Sequence, residues 1–229
     1  MNNNLKKNLI VFIKYPEIGK VKTRLAKTLG DEFAFKFYQL CSEYTVRESE
    51  KLIEQNVVVN LFYSNRIPDN MAKENTGSKF KLFEQKGMNI GEKIQNAFQI
   101  ICNKSSGKTI VIGTDLPDFT AELINNCFTL LDKFDAVIGP SNDGGYYLLG
   151  LKNYFPQIFQ NIPWSTNAVL KTTLQILQKN KIKTKIIDEL IDIDTELDLR
   201  NWLKLKKQKG HPFLNQPELY NLLRTIDER

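Results

Sequence analysis

The chain has 229 residues, of which 41% are hydrophobic and 25% charged, as is usual for a globular protein. A chain of this length buries roughly 70% of its unfolded surface, which excludes a disordered tail and a disulfide-built miniprotein. The net charge is +6 at pH 7. A lysine cluster at Lys204, Lys206, Lys207 and Lys209 is typical of a solvated helix face. No nucleic-acid motif accompanies it, so we expect no nucleic-acid partner.

The cysteines and the histidine limit the chemistry that the chain can perform. Cys41, Cys102 and Cys127 lie far apart in apolar, helix-like contexts, so we expect reduced core residues. One histidine, His211, makes a zinc site or a Ser-His-Asp triad hard to build. The apolar run 9–13 is too short for a signal peptide or a membrane span. We therefore expect a cytoplasmic protein without a membrane partner, and the sequence leaves its oligomeric state open.

Short apolar runs alternate with longer helical patterns along the chain. Patterns typical of strands are 9–14, 57–63, 80–83, 109–113, 136–139, 146–151 and 183–187. Patterns typical of helices are 31–55, 90–102, 120–131, 166–178 and 195–207. This alternation predicts a three-layer α/β/α sandwich with a mostly parallel mixed sheet. We expect a single domain over 1–229, in which 208–229 forms a C-terminal helical extension.

The segment after the first predicted strand is basic. Ligands of such sheets bind beyond the carboxyl ends of the strands, so the segments that follow strands are the places to look for function. This one carries two turn formers and four cations ahead of a helix: Pro16, Gly19, Lys14, Lys20, Lys22 and Arg24. Free N–H groups and cations at a helix start favour a bound phosphate. The alternatives are a solvated basic loop and an Arg24 that pairs within its own helix.

Acidic residues follow two other predicted strands. Asp115 comes directly after the fourth, and hard oxygen ligands of this type suit Mg²⁺ or Mn²⁺ beside phosphates. Asp118 precedes a helix, and capping that helix or complementing its dipole is its favoured role. Asp192 and Asp194 would face the same side of an extended segment, next to a capping box at 195–198. We expect Asp115, Asp192 and Asp194 to form one cluster that holds a divalent cation; a charged pre-helix loop is the alternative for the later pair.

Two glycine-containing segments are weaker signals. Gly87 and Gly91 suggest a loop that passes close to a ligand. Gly144 and Gly145 follow Asp143, and adjacent glycines let a backbone approach a ligand closely. Asn-Asp-Gly-Gly is also an ordinary tight turn, so that alternative stays open.

Five motifs occur in one order. They are Lys14-x-Pro-x-x-Gly-x-x-Lys-Thr-Arg-Leu25, Gly113-Thr-Asp-x-Pro117, Gly139-Pro-x-x-Asp-Gly-Gly-Tyr-Tyr147, Pro163-Trp-Ser-Thr166 and Asp192-x-Asp-Thr195. In this combination the chain resembles, over about 8–205, a bacterial family of predicted transferases named for association with radical-SAM and selenium-related proteins. That family lies in the nucleotide-diphospho-sugar transferase superfamily, with the glycosyltransferase A-type fold. Its relatives include phospholactate and molybdenum-cofactor guanylyltransferases.

The resemblance implies roles for most of these residues. The basic loop matches the segment over the nucleotide phosphates, and Asp115 matches the metal-binding aspartate. Asp192 and Asp194 match a late acidic pair of the metal site. The 87–91 loop resembles a segment near base and sugar, although Lys93 stands where arginine is common.

The turn 143–147 resembles the acceptor side. One departure is that Asp115-Leu-Pro replaces the Asp-x-Asp pair of standard sugar transferases. The resemblance thus implies catalytic Lys22, Arg24 and Asp115; nucleotide-binding Lys14, Gly19, Lys22, Arg24, Gly87 and Gly91; acceptor-binding Asp143, Gly144, Gly145 and Tyr146; and metal ligands Asp115, Asp192 and Asp194.

Three functions agree with these residues. The first is a Mg²⁺- or Mn²⁺-dependent, guanylyltransferase-like nucleotidyltransferase, in which a small acceptor attacks the α-phosphorus of a nucleoside triphosphate. Such chemistry needs positioning and charge neutralisation more than a protein nucleophile. The second, nearly as favoured, is a glycosyltransferase that uses a nucleotide sugar. The third is a non-catalytic nucleotide-binding protein. The basic loop favours the first, because a triphosphate has more charge to hold.

Overall fold

The computed structural model describes residues 6–65, 79–104 and 107–227, and the chain divides into two compact units. Unit 1 is built from Met1–Tyr15, Ser49–Gly113 and Thr120–Leu190. Unit 2 is built from Pro16–Glu48, Thr114–Phe119 and Ile191–Arg229. Each unit has its own hydrophobic core. The single domain expected from the sequence stays a prediction.

Unit 1 contains the β-sheet. Within the described residues its strands are β1 Lys6–Ile13, β2 Val57–Tyr63, β3 Lys81–Glu84, β4 Gly107–Gly113, β5 Ala136–Pro140, β6 Tyr146–Leu151 and β7 Thr184–Ile186. Their order in the sheet is β3-β2-β1-β4-β6-β5-β7. The strand β6 runs antiparallel to both neighbours, and the other pairs are parallel. The mostly parallel mixed sheet predicted from the sequence is therefore confirmed.

The helices are divided between the two units. They are α1 Thr23–Leu29, α2 Asp31–Ile53, α3 Ile90–Lys104, α4 Ala121–Lys133, α5 Val169–Lys179, α6 Glu196–Lys209 and α7 Pro217–Asp227, with 3-10 turns at Pro156–Phe159 and Pro212–Asn215. Gly30 separates α1 from α2 at a φ of +89°, a left-handed conformation that favours glycine. The helix expected in the C-terminal extension is α7; residues 228–229 lie outside the described residues.

Helices cover both faces of the sheet in unit 1. On one face, Ile10 and Val111 share a buried cluster with Phe98 of α3 and Leu177 of α5. Side chains alternate along a strand, so Ile110 points to the opposite face from Val111. There α4 packs against the sheet, and a Cβ built on Gly150 would lie 3.3 Å from both Ile110 and Leu131. Unit 1 is thus the expected α/β/α sandwich.

The core of unit 2 is helical. Its buried members include Trp202 of α6, Phe213 and Phe37, whose rings meet edge to face. Cys41 of α2 is buried in the same core as a free thiol, as expected from the sequence. Within residues 6–65, 79–104 and 107–227, no helix combines the length and apolar character needed to cross a bilayer.

Candidate active site

The basic loop ends in an unusual backbone conformation. Lys22 is the residue immediately before α1, and its φ of 44° and ψ of 45° place it in the left-handed region. This conformation is costly for a residue with a Cβ, and lysine visits it rarely. Here the turn accompanies an inward-pointing side chain, of which only 3% is exposed. Lysine is almost never buried without partners.

Three carboxylates surround the Lys22 ammonium. Its Nζ lies 3.2 Å from Asp115 Oδ1, 3.1 Å from Asp192 Oδ1 and 3.2 Å from Asp194 Oδ1. Arg24 in the first turn of α1 extends the cluster, with Nη1 3.1 Å from Asp194 Oδ2. Oxygens that share one nitrogen at these distances lie within about 6.4 Å of one another. The gathering of the three aspartates expected from the sequence is therefore present, and all five residues belong to unit 2.

The cluster strongly perturbs its own ionisation. Burial alone would lower the pKa of Lys22, but the fields of the three carboxylates outweigh burial and raise that pKa. Burial raises the pKa of Asp192 to about 6; Asp115 and Asp194 add to the rise, and Lys22 opposes it. Counted as formal charges, the three carboxylates and the two cations sum to one net negative charge. The cluster is thus a charged site that is only partly neutralised.

The loop that carries Asp115 is fixed at both ends. Thr114 Oγ1 and Tyr38 OH form a buried hydrogen bond of 3.0 Å. Asp118 accepts a hydrogen bond from Trp202 Nε1 and pairs with Lys206 Nζ. Buried polar groups with such partners hold a segment in one arrangement. The loop 114–119 is therefore anchored on α2 and on α6.

This anchor corrects two expectations from the sequence. Asp118 does not cap the next helix; Thr120 does, accepting from Leu123 N at 3.1 Å. Lys206 is not part of a solvated face, because its side chain is only 21% exposed and its ammonium is paired. Lys204 and Lys207 are exposed, as expected. The capping box at 195–198 is confirmed.

Gly19 is another predicted nucleotide-binding residue of the basic loop, and it lies in unit 2. It adopts a φ of +74° and is exposed. A Cβ built there would come no closer than 3.9 Å to the Asp31 carboxylate. The glycine is thus required by its backbone conformation rather than by crowding.

The predicted 87–91 loop lies in unit 1, as does the half-buried Lys14. A Cβ on Gly91 would lie 2.0 Å from the Trp164 ring, and one on Gly87 would lie 2.7 Å from Glu92 Cβ. Glu92 accepts from Met88 N at 2.8 Å and fixes the loop at the start of α3. Local packing thus accounts for both glycines, and their nucleotide-binding role stays a prediction.

The predicted acceptor turn also lies in unit 1. Asp143 Oδ1 accepts from its own turn, from Ser141 Oγ and from Gly145 N. Gly144 has a φ of +88°, and a Cβ there would lie 2.3 Å from the Asn167 carbonyl oxygen. Tyr146 packs edge-on against a tryptophan ring, and burial raises the pKa of its phenol. These contacts build a fixed turn, and acceptor binding by it stays a prediction.

The donor set suits a divalent cation by its chemistry, since carboxylate oxygens are the ligands that Mg²⁺ and Mn²⁺ prefer. The Lys22 ammonium is a cation already standing between those carboxylates. Within the described ranges, no three acidic, histidine or cysteine side chains are arranged to hold a metal ion directly. A shared metal therefore requires the aspartates to close in and Lys22 to move.

Known proteins resemble the chain along most of its length. It is 28% identical over 194 residues to the 2-phospho-L-lactate guanylyltransferase of Methanocaldococcus vulcanius, covering 83% of this chain and 82% of that protein. The enzyme of the same name from Methanocaldococcus infernus is 28% identical over 122 residues, covering 52% and 53%. The similarity to phospholactate guanylyltransferases implied by the resemblance is thus confirmed, and the likeness to molybdenum-cofactor guanylyltransferases and the radical-SAM association stay predictions.

Solved structures show the same fold. A candidate nucleotide-diphospho-sugar transferase of Desulfovibrio desulfuricans G20 superposes with a TM-score of 0.86 at 28% identity, over 98% of this chain and 96% of that one. The inositol-1-phosphate CTP transferase of T. maritima has a TM-score of 0.54 at 16% identity over 98% of each chain, a likeness of fold alone.

The protein therefore has the nucleotide-diphospho-sugar transferase fold, with a cation-and-carboxylate cluster in unit 2. It belongs to the bacterial family described as "Uncharacterized protein conserved in bacteria (DUF2064)", which matches residues 49–166, just over half of the chain. The transferase expected from the sequence agrees with the names of these relatives.

Proposed function

We propose that the protein is a nucleotidyltransferase that moves a nucleoside monophosphate from a nucleoside triphosphate to a small acceptor. The observation that carries this proposal is the pairing of Lys22 and Arg24 with three clustered carboxylates. Cations that hold phosphate oxygens beside carboxylates that hold a divalent cation are what transfer at a phosphorus atom requires. The guanylyltransferase relative supports a purine triphosphate as the donor.

The roles of the side chains follow from their chemistry. Arg24 is 63% exposed, and its planar guanidinium is suited to a bidentate contact with a phosphate. The Lys22 ammonium is a point charge for the same group. Asp115, Asp192 and Asp194 would hold Mg²⁺ or Mn²⁺, which would neutralise charge on the phosphates. The acceptor oxygen attacks the α-phosphorus directly and pyrophosphate leaves, so no protein nucleophile is needed.

The other predicted residues complete the proposal. Lys14, Gly19, Gly87 and Gly91 would contribute to the nucleotide site. The segment 143–146 would contribute to the acceptor site.

The decisive test compares triphosphates with nucleotide sugars. Each charge-assisted hydrogen bond is worth roughly 1.5–3 kcal/mol, so loss of one outer-phosphate contact weakens binding by about tenfold or more. With Mg²⁺ present, a triphosphate should bind at least about tenfold tighter than the matching diphosphate or nucleotide sugar. A panel of guanine, uridine, adenine and cytidine series identifies the base. Once the acceptor is found, the reaction of the triphosphate with it should release pyrophosphate.

A matched pair of variants locates the phosphate contact. Arg24→Ala should weaken triphosphate binding by about tenfold, because Arg24 makes a charge-assisted contact. Lys27→Ala removes an exposed cation from the last turn of the same helix and should leave binding within about twofold. Equal binding by both variants at low salt would contradict the phosphate role of Arg24.

Glycosyl transfer is the second candidate, favoured by the name of the Desulfovibrio desulfuricans G20 protein. It predicts the reverse order of affinities. A nucleotide sugar would bind at least as well as the triphosphate, and slow hydrolysis to free sugar would appear without an acceptor. That result would replace the nucleotidyl proposal and leave the phosphate and metal sites in place.

A further inference from the structure

The Lys22 ammonium lies between three carboxylates. An ammonium carries three N–H donors, and Lys22 Nζ meets oxygens of three different carboxylates at 3.1–3.2 Å. Its side chain is 3% exposed, and its backbone holds a left-handed conformation that disfavours any residue other than glycine. The ammonium thus donates hydrogen bonds to Asp192 and Asp194 and is ion-paired with Asp115 at the centre of the acidic cluster.

This centre is the place that a shared divalent cation would need. Mg²⁺ is held by oxygens at about 2.0–2.1 Å, roughly 1 Å shorter than the distances around Lys22 Nζ. The ammonium therefore fills the space between the carboxylates and keeps them apart. Lys22 and a metal shared by all three aspartates exclude each other.

The net charge of the cluster also favours an exchange of Lys22 for a divalent cation. The three carboxylates, Arg24 and Lys22 together carry one net negative formal charge. With Lys22 withdrawn, the other groups carry two, equal and opposite to the charge of a divalent cation. The flexible four-carbon stem of lysine allows such a movement, and phosphate oxygens of a nucleotide would offer the ammonium a new partner.

We propose that Lys22 is an internal cation that occupies the carboxylate cluster and competes with the divalent cation for it. The metal enters when the ammonium leaves, and a bound phosphate favours that exchange. This inference rests on the proposed function for the existence of the metal site. It assigns to Lys22 a role in metal binding in addition to phosphate binding.

The first test measures Mn²⁺ binding without nucleotide, from the loss of the electron paramagnetic resonance signal of free Mn²⁺. Lys22→Met keeps the length of the side chain and removes the charge, so it should bind Mn²⁺ at least about tenfold tighter than the wild type. Lys22→Arg keeps the charge and should show no gain. Adding Asp115→Asn to Lys22→Met should abolish the gain. A folded Lys22→Met protein with wild-type affinity for Mn²⁺ would overturn the proposal.

The second test uses the unmodified protein, so it does not depend on a variant that folds. Buried amines react slowly with acetic anhydride, and mass spectrometry reports the acetylation of each lysine. Saturating Mn²⁺ should raise acetylation of Lys22 several-fold. Lys108, a second buried lysine with a 6% exposed side chain paired with Asp132, is the control and should not change. Unchanged protection of Lys22 at saturating Mn²⁺ would refute the exchange.

These outcomes are separable from those of the proposed function. A gain of Mn²⁺ affinity in Lys22→Met together with no triphosphate preference would support the exchange and contradict nucleotidyl transfer. Metal-dependent pyrophosphate release with no gain in Lys22→Met would support nucleotidyl transfer and contradict the exchange.

Discussion

Asp118 is a buried acidic side chain whose removal should destabilise unit 2 strongly. Its carboxylate is 5% exposed, accepts from the indole N–H of Trp202 and pairs with Lys206. In Asp118→Ala, a buried indole N–H loses its acceptor, which costs about 1–3 kcal/mol. Breaking a buried ion pair from one side costs about 3–5 kcal/mol in total. Lys206 is 21% exposed and can turn partly to water. We therefore expect a loss of about 3 kcal/mol in the free energy of unfolding.

Urea titrations followed by circular dichroism provide the measurement. Asp118→Asn retains an oxygen for the indole and loses only the charge, so its loss should be about half as large. The control is Glu196→Ala, which removes the partly exposed partner of the exposed Arg200 on the same helix as Trp202. Such a pair is worth less than about 1 kcal/mol. A loss for Asp118→Ala no greater than that of the control would refute the anchoring role.

Two other features give sharp expectations. His211 is the chain's one histidine, and burial lowers its pKa from 6.5. The charge of Asp118 opposes this decrease in pKa, and the charge of Lys206 adds to it. A nuclear magnetic resonance titration of the imidazole should therefore give a midpoint below 6.5, and a lower one in Asp118→Asn. The unfolded chain takes up a proton on His211 more readily than the folded chain does. The neutral imidazole of His211 therefore contributes to stability in full above pH 6.5, and that contribution decreases as the pH falls below 6.5. His211→Gln should remove this pH dependence. Gly91→Ala places a Cβ 2.0 Å from the Trp164 ring, so thermal unfolding should report a loss of about 1–3 kcal/mol, and an unchanged midpoint would contradict the packing.

Much of the fold could be predicted because its signals are local. Strands β1, β2 and β4 each contain a run rich in Val and Ile without polar alternation, as strands buried on both faces require. The direction of β6 could not be predicted, since a short apolar run has the same pattern in either orientation. The sequence pattern predicts a start of α5 at 166, three residues early, because the left-handed backbone of Ser165 has no signal in the residue type.

The clustering of the three aspartates in the candidate site could be predicted from the sequence. Asp192 and Asp194 alternate along an extended segment and so reach the same partner. The inward orientation of Lys22 was not predictable, because lysine normally avoids both the left-handed region and burial. The contact between Asp118 and Trp202 joins residues 84 positions apart, and no local pattern indicates which helix will supply a partner.

The order of segments in unit 2 has a consequence for synthesis of the protein. Lys22 is made early, but two of its carboxylate partners lie 170 and 172 residues later. Contacts of such long range form slowly, because a long chain must close before they contribute. At a translation rate of about 5–20 residues per second, Asp192 and Asp194 are made roughly 10–35 s after Lys22. A nascent chain that has not reached Asp192 therefore has at most one of the three carboxylates, and the charge balance of the site is complete only after Asp194 has been made.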